Sequence, residues 1–108
     1  MALKSFRFYR NYQGDQTSAV PQGYINNYVL TAEVAKVVSI PSGARYAMFV
    51  STADLWVLIG TGTAAIPSGD VVDGSGSELN PICRWIESET VMSIISPAAA
   101  KVSIAFYE

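Results

Sequence analysis

The stretch Ala-Lys-Val-Ser-Ile-Ala-Phe-Tyr at residues 100–107 sets Val102, Ile104 and Phe106 on one side of an extended chain and Lys101, Ser103 and Ala105 on the other. That period of two belongs to a half-buried β-strand, because successive side chains of a strand point to opposite faces. A second strand is expected at residues 91–95, set off by the turn-forming pair Ser96-Pro97. Further upstream, residues 5–10 and 24–30 read as strands, the first with Phe6 and Phe8 on one side. Residues 30–38 carry both a helical stripe and a strand pattern, and the reading adopted is a turn at Thr31-Ala32-Glu33 followed by a strand to Ile40. Short strands with turn signals about ten residues apart predict an all-β fold, an antiparallel β-sandwich or jelly-roll-like barrel. With 108 residues there is chain for one core, so a single domain is expected across residues 1–108.

Residues 45–51 and 54–60 predict a hairpin turning at Ser51-Thr52-Ala53-Asp54. Both runs are apolar on both sides. Tyr46, Met48 and Val50 are backed by Ala47 and Phe49, and Leu55, Val57 and Ile59 by Trp56 and Leu58. A strand of this kind must be covered on both faces, by its own fold or by another subunit. Tyr46, Met48, Trp56, Leu58 and Trp85 are therefore the candidate interface residues.

Two stretches exceed ordinary connections. Residues 11–27, rich in Asn, Gln, Gly and Tyr, form a polar arm. Residues 60–81 form a long Gly-rich loop, and loops beyond ~12 to 15 residues are usually functional or mobile. Asp70, Asp73 and Glu78 are the loop's candidate contact residues. The tetrapeptide Ile-Pro-Ser-Gly occurs at residues 40–43 and again at 66–69, but the flanking residues do not continue the match as a true repeat would. Proline with its fixed φ and glycine with its tolerance of positive φ make the recurrence one of shared turn chemistry.

The chain contains no histidine, which removes Ser-His and Cys-His catalysis and imidazole metal sites. Cys83 is the single cysteine and is read as a small buried hydrophobe. Glu87 and Glu89, on one side of a possible strand, are spaced for paired-carboxylate chemistry, with a solvated turn as the preferred reading. Asp70, Asp73 and Glu78 lack the residue order of a calcium loop. No catalytic residue, cofactor or metal is expected. A net charge of −2 offers no general attraction to nucleic acid, and no apolar run is long enough for a membrane span, so neither is an expected partner. The first residues lack the apolar core of a secretory signal, so synthesis in the cytoplasm is expected. Trp56, Trp85, Tyr24, Tyr28 and Tyr46 keep open the alternative of a carbohydrate-binding or receptor-binding β-sandwich module, with core or interface roles preferred.

Several motifs in order carry a resemblance: Val-Ser-Ile-Pro-Ser-Gly-Ala-Arg-Tyr at 38–46, Thr-Ala-Asp-Leu-Trp-Val at 52–57, Asp-Gly-Ser-Gly-Ser-Glu-Leu-Asn-Pro at 73–81, and the closing Val-Ser-Ile-Ala-Phe-Tyr. Across roughly residues 28–107 the chain resembles small structural proteins of tailed bacteriophages and prophages. The resemblance implies a non-enzymatic virion component, a capsid decoration or cement protein, a head-fibre piece or a tail accessory protein. It also implies assembly as a homo-oligomer, a trimer or dimer, attached to phage capsid or tail proteins on the particle. No coiled-coil or repetitive shaft accompanies the motifs, which sets the chain apart from large fibre proteins.

Overall fold

The computed structural model describes residues 3–5, 8–10, 16–19 and 23–108. Ten strands make up the described secondary structure, with no helix among the described residues. Strands β1 (Phe8–Arg10) and β2 (Gln16–Ala19) pair only with each other. The other eight are β3 (Ile25–Leu30), β4 (Lys36–Ser39), β5 (Tyr46–Ser51), β6 (Trp56–Ile59), β7 (Glu78–Leu79), β8 (Cys83–Trp85), β9 (Val91–Ile95) and β10 (Ala100–Tyr107). They form two antiparallel four-stranded sheets in the orders β3-β10-β5-β8 and β4-β9-β6-β7. Among these eight, only β6 to β7 connects neighbours within one sheet; every other connection crosses from one sheet to the other. Counted from β3, the orders are first-eighth-third-sixth and second-seventh-fourth-fifth, the winding of a jelly-roll sandwich.

The long strand β10 organises the first sheet, pairing with β3 from Ala100↔Leu30 to Ala105↔Ile25 and with β5 from Val102↔Ser51 to Tyr107↔Tyr46. Its alternation holds as expected. Ala100, Val102, Ile104 and Phe106 are buried beside Leu30, Ala47 and Phe49. The second sheet meets them with Val38, Val57, Met92 and Ile94, and Leu55 and Ile86 close the ends of the core. Tyr24 stacks edge-on against Phe106 at 5.9 Å between ring centroids. Phe106 is fully buried at the centre, so truncation to alanine removes contacts worth about 3–5 kcal/mol.

The turn expected at residues 31–33 is present, with Glu33 at φ 61° and its N–H donated to the Ser96 carbonyl at 2.8 Å. The two Ile-Pro-Ser-Gly copies differ from the expected common turn. In the first, Ala44 N–H donates to the Pro41 carbonyl at 3.2 Å and Gly43 has φ 87°, as the third position of a type II turn requires. Proline thus stands first in that turn rather than second. The second copy is an exposed bend in which Gly69 keeps a φ outside the positive region. Identical tetrapeptides diverge because the first lies between two strands and the second within a long excursion.

The expected hairpin of residues 45–60 does not form. Strand β5 lies in the first sheet and β6 in the second, so the intervening residues carry the chain across the sandwich. Asn80, at φ 50°, fixes that crossing. Its side-chain Oδ1 accepts from Leu55 N–H at 2.8 Å, its own N–H donates to the Leu55 carbonyl at 2.7 Å, and its amide nitrogen donates to Asp54 at 3.1 Å. Leu55 is thereby drawn inward until 1% of it is exposed.

Residues 11–15 and 20–22 of the expected polar arm lie outside the described residues, as do Phe6 and Arg7. Residues 16–19 are strand β2, and residues 25–27 belong to β3.

Candidate functional site

Because β5 and β6 lie in opposite sheets, the five candidate interface residues are divided between two outer faces. Tyr46 and Met48 point outward from β5, and Trp85 and Cys83 stand directly across from them on β8. Tyr46 and Trp85 meet edge to face at 4.9 Å between centroids. Trp56 and Leu58 point outward from β6 on the other side of the molecule, across from Ile95 and Ser93.

The two outer faces differ in their covering. On the second sheet Ser93 and Ile95 point away from the core yet are only 1% and 7% exposed. They are sheltered by residues 60–77, which fold back over their own sheet. Ala64, itself buried, donates its N–H to the Ser93 hydroxyl at 2.8 Å, which satisfies a polar side chain that would otherwise be costly to bury. Gly62 has φ 124° and lies so close to Leu58 that a Cβ would sit 3.0 Å from the leucine methyl. The Ala65 N–H donates to the Ser77 hydroxyl at 3.1 Å and draws the two limbs of the excursion together. Within the long loop expected at residues 60–81, residues 60–77 are thus a flap over Leu58, Ser93 and Ile95, and Glu78–Leu79 form β7.

Among the described residues no comparable flap covers the part of the first sheet's outer face that carries Val29 and Val50, whereas Tyr107, at the β10 end of the same face, is only 4% exposed. Ile25, Val29, Val50 and Trp85 are 46%, 67%, 71% and 54% exposed; half-buried Ala105 and Met48 lie beside Ile25, and exposed Asn27 and half-buried Ser103 lie on the same face beside Val50. Lys101 is the charged residue within this row, at the edge where it pairs with Val29. Cys83 is half-buried on this face rather than enclosed in the core, and desolvation pushes its thiol pKa up against a smaller downward pull from Arg84. Burial raises the Tyr107 hydroxyl as well.

The loop carboxylates do not converge. Asp70 is exposed in the flap. Asp73 accepts from both the N–H and the hydroxyl of Ser75, at 3.0 and 2.6 Å, and these bonds hold its pKa below the ordinary value. Glu78 is bound by Arg84, whose Nε lies 2.9 and 3.0 Å from the two carboxylate oxygens. Among the described residues no three Asp, Glu or Cys side chains gather as a metal site. Glu87 and Glu89 occupy a turn instead of the strand that would have aligned them. Glu87 lies 3.5 Å from Arg45, and Glu89 N–H donates to the Ile86 carbonyl at 3.1 Å.

Sequence reasoning marked Tyr46, Met48 and Trp85 but passed over Val29 and Val50, which are more exposed than any of them. Their signal was the period-two register itself, which sets Val50 on the side of Tyr46 and Met48. The architecture defines a small all-β sandwich of jelly-roll winding with one flap-covered and one open face. No protein family, curated protein or solved structure matches the chain.

Proposed function

We propose that this chain is a non-enzymatic structural component of a tailed-phage virion, of the capsid decoration or cement type, working by self-association and attachment to capsid or tail subunits. The observation that carries the reading is the open apolar face of the first sheet, formed by Ile25, Val29, Met48, Val50 and Trp85. Four strands at ~4.8 Å spacing and ~3.4 Å per residue give the whole face on the order of 350 Å², which the apolar side chains share with Asn27, Lys101 and Ser103, and an exposed apolar patch of a few hundred Å² is often functional. A standard interface buries about 800 Å² per partner, so this face serves as the apolar centre of a contact that flanking segments complete. Jelly-roll sandwiches are a common build for capsid components, which supports the reading at the level of fold alone. The motif order of residues 38–46, 52–57 and 73–81 adds the phage resemblance.

Sedimentation velocity over a concentration series tests the associative part. A stable dimer or trimer supports it, and a monomer at every concentration overturns self-association. Co-sedimentation with phage particles lacking the protein tests attachment, which fails if the protein stays in the supernatant at saturating concentration.

A further inference from the structure

Beneath the flap, the outer face of the second sheet leaves a concavity of about 390 Å³. That lies toward the lower end of the ~300–1,000 Å³ typical of small-molecule sites. Trp56 lines it from the sheet side, and Pro67 and Val71 add apolar walls from the flap. The hydroxyls of Thr63, Ser75 and Ser77 share the same lining. No charged side chain lines it, and Asp70 and Asp73, on the same flap, are exposed.

The walls are held before any ligand arrives. The bond from Ala65 N–H to Ser77 Oγ ties the two limbs of the flap, and the bond from Ala64 N–H to Ser93 Oγ ties the flap to the sheet. Asp73 shapes the tip through its two bonds from Ser75, followed by Gly74 at φ 86°. A preformed wall spares a ligand the cost of ordering it. Ser77 Oγ accepts from Ala65, which leaves its hydrogen to donate inward. Ser75 donates to Asp73, which leaves its oxygen to accept.

We infer that this concavity is a binding site for a neutral saccharide unit, with Trp56 as the stacking surface and the flap hydroxyls as hydrogen-bond partners. An aromatic face beside uncharged donors and acceptors matches a sugar ring, which presents an apolar C–H face and a hydroxyl rim. A wholly apolar ligand would strip water from three hydroxyls without replacing its hydrogen bonds, at a cost for each. A phosphorylated, sulfated or sialylated ligand would find no cation in the lining and two carboxylates on the same flap. The site lies on the sheet opposite the open apolar face, so it stands or falls independently of self-association.

Saturation-transfer NMR tests this with free glucose, galactose, mannose, N-acetylglucosamine and rhamnose as probes, each at millimolar concentration. Transfer is expected to at least one sugar with the wild-type protein and with Trp85→Ala. It is expected to be lost with Trp56→Leu and with Ala65→Phe, the latter filling the cavity from an exposed position whose own packing is slight. Ala65→Phe keeps the test informative where Trp56→Leu disturbs folding. Absence of transfer to every sugar overturns the inference. So does transfer that survives Ala65→Phe undiminished, or that disappears with Trp85→Ala while surviving Trp56→Leu.

Discussion

Arg84 grips Glu78 across the mouth of the sandwich, its Nε 2.9 and 3.0 Å from the two carboxylate oxygens, and the two residues belong to different sheets. Glu78 is on β7 and Arg84 on β8, each the last strand of its sheet on the same side, so the pair closes an edge that backbone hydrogen bonding leaves open. The hydrogen bonds that Arg84 donates to Glu78, and then the negative charge of that carboxylate, raise the Arg84 pKa, which leaves the guanidinium charged throughout the working range.

Both side chains are more than two-fifths exposed, so solvent and salt screen the pair. Glu78→Gln is expected to lower the thermal midpoint slightly in dilute buffer. The difference from wild type should disappear in ~1 M salt, where the Debye length falls to ~3 Å. A large loss that persists in high salt would show that the glutamate supports the edge through packing instead of charge.

A larger effect is expected at Asn80. Its Oδ1 is the acceptor for the N–H of Leu55, a residue buried at the end of the core. Asn80→Ala orphans that donor and places a Cβ-bearing residue without a local polar side chain at φ 50°. Denaturant unfolding should report a loss of about 1–3 kcal/mol. Asn80→Asp keeps the acceptor but replaces the amide that donates to Asp54 with a second carboxylate oxygen, so it should recover only part of that loss at neutral pH and more in acid, where one carboxyl of the pair is protonated. Asn80→Gly should recover only the smaller part due to backbone conformation.

Asn80 also explains what the sequence concealed. The alternation of residues 100–107 and the run at 91–95 were legible because a strand's faces follow from its own residues, and both strands have the expected bounds. The two-sided apolar character of residues 45–60 was legible too. Its partner was not, because period two reports which side chains share a face and is silent on which sheet receives the strand. That choice depends on the hydrogen bonds between Leu55 and Asn80, 25 residues apart in sequence, one donated by each backbone N–H. The same limit governed the candidate site. A strand apolar on both sides needs cover, yet only the tertiary structure distinguishes β6, covered by residues 60–77, from β5, whose outer face stays open.

Ser93 holds the flap. Ser93→Ala removes only the hydroxyl, and it leaves the Ala64 N–H without its acceptor in a buried setting, at a cost of about 1–3 kcal/mol. Amide exchange at Ala64 should accelerate, and limited proteolysis should shift into residues 60–77 while the β10 amides stay protected. Uniform acceleration across β10 and the flap would mean that the flap opens only with global unfolding. Gly62→Ala should destabilise by an independent route, forcing a Cβ into the positive-φ region within 3.0 Å of Leu58.

Cys83 reports on the open face from within it. It lies across from Met48 beside Trp85, and desolvation raises its pKa, so at a given pH less of it is thiolate than in an unfolded chain. For an acid raised on folding, the neutral thiol is the form the native state favours. Its contribution to stability is complete below the ordinary thiol pKa and is lost as pH rises through the folded value. Iodoacetamide labelling at mildly alkaline pH should therefore be slower in the native protein than in urea. Val50→Lys places a charge on the same face at a position 71% exposed in the single chain, so the fold should tolerate it while self-association fails. If the face associates, Val50→Lys should sediment as a monomer and label faster at Cys83 than wild type at high protein concentration. The two rates should converge on dilution. Equal labelling at all concentrations, with unchanged sedimentation, would place any contact between copies elsewhere on the molecule.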